Sequence, residues 1–96
     1  MERIKGEFTV CYKGKSSTVK YDFDALGGNP HFYVRDKYGL YHTFFKGQSW
    51  GYSSSLSKPK GWSDGFLEVF YRMLEKELVS IYDSGKFPYI GRYVFR

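Results

Sequence analysis

The sequence predicts an α+β fold. Four to five antiparallel strands, two hairpins plus a C-terminal strand, form a twisted sheet or partly open barrel packed by one helix at about 63–84. Three observations carry this expectation. Residues 8–13, 19–24, 31–35 and 40–46 read as strands, their side chains alternating between two faces at period 2. Residues 66–81 repeat apolar side chains at three and four. Gly, Asn, Pro and Ser clusters fall between these stretches, where chain reversals are needed.

In the first hairpin, Phe8, Val10 and Tyr12 share one strand face. Gly14 to Ser17 supply the turn. Val19, Tyr21 and Phe23 then alternate with Lys20, Asp22 and Asp24. Leu26-Gly27-Gly28-Asn29-Pro30 is a connection, because Gly and Asn tolerate positive φ and Pro removes a donor. The second hairpin pairs 31–35 with 40–46 around Asp36-Lys37-Tyr38-Gly39, with Gly39 suited to a left-handed turn position. Residues 47–62 show no periodicity and no acidic side chain, and read as a long mobile or binding loop.

The helix starts at Ser63, a good N-cap, followed by Asp64 at the positive end of the dipole. Trp62 and Leu67 are placed to act as a hydrophobic staple. Phe66, Phe70, Met73, Leu74, Leu78 and Ile81 form one apolar stripe, and Glu68–Arg72 is an i,i+4 ion pair. Gly85 ends the helix as a left-handed cap. Glu77 falls inside the apolar arc, where it either meets a base or marks the edge of the stripe. Phe87 to Phe95 reads as the final strand, with Pro88 at its start.

Size and composition narrow the function. With 96 residues and 11.3 kDa, the chain reads as a single compact domain with room for one modest core. Aromatic residues make up 22% of the chain, which excludes a disordered protein. No apolar run approaches the roughly 18 residues of a transmembrane helix, and Met1 to Glu7 lack the apolar stretch of a signal peptide. Cys11 is the single cysteine, so no intrachain disulfide forms and a reducing, cytoplasmic setting is expected, with Cys11 a buried or half-buried inert thiol. The net charge is +5. Residues 1–62 carry ten basic and five acidic side chains, whereas residues 63–85 carry two basic and five acidic. That asymmetry points to a polyanion or an acidic protein surface as partner.

The candidate site follows from strand alternation. If Phe32, Val34, Leu40, His42 and Phe44 face the helix, then Tyr33, Arg35, Tyr41, Thr43 and Phe45 face away. On the last strand, Arg92 and Tyr93 fall on opposite faces. Tyr and Arg on one strand face are what a base-stacking platform requires, while a small barrel would bury the same rings. Lys13, Lys20 and Lys37 add positive charge for phosphate. In the 47–62 loop, Trp50 and Tyr52 stand beside Lys58 and Lys60, as aromatic anchors flanked by charge; the loop tryptophans serve equally well as straps onto the core.

The leading expectation is a small non-catalytic protein binding DNA or RNA through this surface. The alternative is a protein-binding effector or inhibitor, of the type small viral or mobile elements encode, directed at an acidic partner. A small basic nuclease ranks third. It would need His31 and His42 across one scissile bond, or Asp22, Asp24 and Glu7 around Mg²⁺. No cofactor or metal is expected. Aromatic strand faces also allow a homodimer.

Overall fold

A computed structural model describes residues 3–25, 28–35, 38–46, 50–53 and 61–94; for 51–53 it describes the backbone. Five strands, β1 (Ile4–Tyr12), β2 (Lys15–Asp24), β3 (His31–Arg35), β4 (Tyr41–Lys46) and β5 (Trp50–Ser53), form one antiparallel sheet in the order β1-β2-β3-β4-β5. Helix α1 (Asp64–Asp83) packs on one face, followed by a 3₁₀ turn (Pro88–Ile90) that runs into the short helix α2 (Gly91–Val94). The fold is α+β with an open sheet.

The first reversal is tighter than the sequence suggests. Lys13 (φ 50°) and Gly14 (φ 74°) make a two-residue turn with both φ values positive, and Tyr12 pairs with Lys15. Such a turn matches the right-handed strand twist, so Ser16 and Ser17 belong to β2 rather than to the turn. The second hairpin forms as expected, with Gly39 at φ 81°.

The fifth strand is not the C-terminal one. Residues 50–53 pair with Thr43 to Lys46, so part of the expected 47–62 loop is sheet edge. Residues 88–94 are helical instead of extended. Phe87, Ile90 and Tyr93 recur at every third position and all three are buried, with Pro88 starting the turn and its missing N–H costing nothing there. The alternation of rings along 87–95 conceals this period of three.

α1 behaves as its sequence dictates. Ser63 Oγ accepts from the Phe66 N–H at 3.1 Å, and Gly85 adopts φ 81° just beyond the last turn. Trp62 packs its ring on Phe66 and Phe70 and stacks on Phe44, so the Trp62 ring reaches the core directly. Phe70 is central: its ring lies 5.6 Å from Phe8 and 4.7 Å from Phe44, centroid to centroid. Phe8, Val10, Tyr21, Phe23, Phe32, Val34 and Phe44 line the sheet side, and Leu74, Leu78 and Ile81 extend the helix side. Phe87 closes the bottom against Phe23. His42 is buried on this inner face as expected. Leu40 is exposed, because pairing begins only at Tyr41 and leaves Leu40 outside the ladder.

Candidate functional site

The face of the sheet opposite α1 carries the candidate residues. Odd positions of β1 and even positions of β2 point there, as do Tyr33, Arg35, Tyr41 and Phe45. The lysines and Arg35 on this face are exposed.

At one end, Arg35 and Tyr41 are directly opposed across β3 and β4. The guanidinium carbon lies 4.7 Å from the Tyr41 ring centroid, and Nη2 donates to the Tyr41 hydroxyl at 2.9 Å. The pair fixes the ring against the guanidinium while 58% of Tyr41 stays exposed. Tyr21 pairs with Val34, so the same register carried one residue further brings Lys20 beside Arg35. Lys20 also faces Glu7 across β1.

At the other end lies a cluster centred on Asp24. Its carboxylate is 1% exposed although it sits on the outer face, because Arg3, His31 and Tyr33 cover it. Arg3 Nε stands 3.5 Å from Asp24 Oδ2, and its Nη1 stands 3.9 Å from Asp22 Oδ2. The Tyr33 hydroxyl donates to Asp24 Oδ1 at 3.3 Å. Arg3 lies over the Tyr33 ring at 4.7 Å, and His31 stacks alongside it. Burial, then the hydrogen bond and charge of Asp24, push the Tyr33 hydroxyl above its ordinary pKa. His31 Nδ1 lies 2.8 Å from the Asn29 carbonyl, which only accepts, so the proton sits on Nδ1.

Tyr33, Arg35, Tyr41 and Lys20 therefore share one surface. Among the described residues, Lys13, Trp50, Arg92 and Tyr93 lie elsewhere. Lys13 is exposed at the β1–β2 turn. Trp50 is half-buried on the helix side, and its indole donates to Glu75. Tyr93 is buried and donates to Asn29 Oδ1, while exposed Arg92 donates to the Tyr93 hydroxyl and covers its ring. Lys37, Lys58, Lys60 and the side chain of Tyr52 lie outside the described residues.

The catalytic alternatives find no converging geometry. His31 and His42 occupy opposite faces of the sheet. Asp22 and Asp24 are both engaged by Arg3, and among the described residues no three His, Cys, Asp or Glu side chains are arranged to hold a metal. Cys11 is exposed, contrary to expectation, because odd positions of β1 face outward; its Sγ lies 3.5 Å from Ser16 Oγ.

Sequence reasoning passed over Arg3, Asp24 and His31 as a unit. The signal was local: Asp24 and His31 are the last and first strand residues around the 25–30 connection, so antiparallel pairing of β2 with β3 makes them neighbours. Glu77, ambiguous in the sequence, meets the Tyr21 hydroxyl rather than a base. Among the described residues no helix is long and apolar enough to cross a membrane. The chain matches no protein-family model, no curated protein and no solved structure.

Proposed function

We propose that the outer sheet face is a non-catalytic surface for nucleic acid, centred on Tyr41, Arg35 and Lys20. The observation that carries this reading is the Arg35–Tyr41 pair: an exposed ring with a guanidinium against it on the strand face opposite α1. An unpaired base stacks on such a ring with a gain of about 1–3 kcal/mol. Lys5, Lys20 and Arg35 supply cations for the phosphates between stacked bases. Arg3 offsets the charges of Asp22 and Asp24, which would otherwise repel the backbone. Because rings meet bases only where bases are unstacked, single strands are the favoured form.

A specific observation also supports a protein partner. Tyr38 and Leu40 are 66% and 49% exposed beside Tyr41, which gives the β3–β4 turn an apolar tip flanked by Arg35. An acidic protein surface bearing a small apolar pocket would fit it.

Binding of labelled mixed-sequence single- and double-stranded DNA and RNA, titrated with salt, separates the two. Nucleic-acid binding predicts a linear log–log salt dependence, which Arg35→Ala reduces by about one in slope. Tyr41→Ala weakens single-strand binding with its slope retained. Absence of binding to every form at about 20–50 mM salt rejects this reading and leaves the protein partner.

A further inference from the structure

The two edges of the sheet differ. β5 is four residues long, whereas β1 is nine residues long and pairs with β2 through nine consecutive positions without a bulge. β1 contains no proline. Among the described residues its backbone makes hydrogen bonds to β2 alone, so the N–H and C=O groups on its far side are left for another strand. Long, unbulged edges of this kind pair with further strands unless something blocks them.

The sequence of β1 selects its own copy. In an antiparallel pairing with the two-fold axis at Gly6, position 5 lies opposite position 7 of the partner strand. Lys5 then faces Glu7 of the second copy, and the symmetry repeats the pair. Both side chains are exposed on the outer face, within the 4.5–5.5 Å Cβ spacing that cross-strand neighbours have. On the inner face the same register sets Ile4 opposite Phe8. Lys5 thus guards the edge against unrelated strands but is matched in this one.

The helix layer agrees with this register. Val69, Met73 and Glu77 form one i,i+4 stripe of α1, and Glu77 meets the Tyr21 hydroxyl, which lies directly over Gly6. The stripe therefore runs above β1. Val69 and Met73 are both only half-buried, so each copy brings apolar surface toward the two-fold axis.

We propose that the protein forms a symmetric dimer through antiparallel β1–β1 pairing about Gly6, which joins two sheets into one of ten strands. The two outer faces then continue into each other on the same side. The β1 edge is separate from the outer face and pairs in this way whether or not that face binds nucleic acid.

The test uses the full chain and two charge reversals. Sedimentation equilibrium of the unaltered protein over a concentration series should give a dimer mass. Lys5→Glu and Glu7→Lys each turn both symmetric pairs into like-charge pairs, and each should weaken self-association about tenfold or more. An equimolar mixture of the two variants should restore dimers. One chain then carries acid at both positions 5 and 7 and the other carries base at both, so each cross-strand pair is again of opposite charge. Each variant also faces a like charge within its own sheet, Asp22 or Lys20, so urea midpoints are measured alongside. A merely destabilised fold would not recover on mixing. A monomer at all concentrations, single variants that associate like the parent, or a mixture no tighter than either variant alone would each overturn the proposal.

Discussion

Trp50 donates its indole hydrogen to Glu75 Oε2 at 2.8 Å, and Lys46 Nζ meets the other carboxylate oxygen at 2.5 Å. One glutamate on α1 thus holds the ends of both β4 and β5. The Trp50 ring is stacked on Tyr71 at 12° and packs against Phe32. A four-residue edge strand has few ladder bonds of its own, so these contacts fix it to the helix layer.

The first prediction tests this anchor. Glu75→Ala should lower stability by about 1–2 kcal/mol, discounted because the carboxylate is partly exposed. Trp50→Ala should cost about 2–4 kcal/mol, since it removes a half-buried ring and its hydrogen bond. Urea midpoints check both. An unchanged midpoint for Trp50→Ala would show that β5 is held by its ladder alone.

The second prediction separates platform from core. Arg35→Ala and Tyr41→Ala should change stability by no more than about 0.5 kcal/mol, as exposed substitutions do. Phe32→Ala, on the same strand as Arg35 but on the inner face, should cost about 3–5 kcal/mol. Losses of several kcal/mol for Tyr41→Ala would place its ring in the core.

Strand alternation made the second hairpin and its two faces legible. The cap, stripe and end of α1 were legible for the same kind of reason. β5 was not: Trp50-Gly51-Tyr52-Ser53 is too short for a period, and its pairing comes from β4. The helical end failed through degeneracy, since Phe87 to Phe95 fits alternation and a period of three alike, and tertiary burial of Ile90 and Tyr93 decides. In the candidate site, Tyr33, Arg35 and Tyr41 came from alternation. Asp24 and His31 flank the short 25–30 connection and are neighbours by that spacing, whereas Arg3 reaches them from the start of β1, which no local spacing encodes.

The third prediction concerns pH. Burial raises the Glu77 carboxyl above its ordinary pKa, and the hydrogen bond from Tyr21 only partly offsets this. A carboxyl raised in the folded state binds its proton more tightly there than in the unfolded chain. Its ionisation therefore costs stability as pH rises from the unfolded pKa through the folded one. Glu77→Gln should be more stable than the parent at neutral pH, with the gain shrinking as pH falls to about 4. Denaturant midpoints at both pH values check the sign; a gain that grows in acid contradicts it.

Tyr21 supplies the fourth. Burial, with the charge of Glu77 next, pushes its hydroxyl up to about 12. A raised phenol contributes stability present below the unfolded pKa of about 10 and lost as pH climbs through the folded value. In absorbance titration of the tyrosines, Tyr21→Phe should remove the last ionisation step. Loss of an earlier step would mean that Tyr21 ionises with the exposed phenols.

The fifth prediction concerns the glycine beneath that ring. Gly6 and Tyr21 are cross-strand partners, and the Tyr21 side chain lies across the position a Cβ would take. A methyl group at position 6 would stand 2.5 Å from Tyr21 Cζ, far inside contact distance. The ring cannot simply swing outward, because it packs edge-on against Phe32 and beside Phe8. Gly6→Ala should therefore cost about 1–3 kcal/mol through overpacking and loss of the Glu77 contact. By itself, alanine in a strand is favoured over glycine by about 0.5–1 kcal/mol, so the sign reverses once the ring is gone. In a Tyr21→Leu background, Gly6→Ala should be neutral or stabilising. A double-mutant cycle should give a coupling above about 1 kcal/mol, and additivity would mean that the ring and the glycine do not share this space.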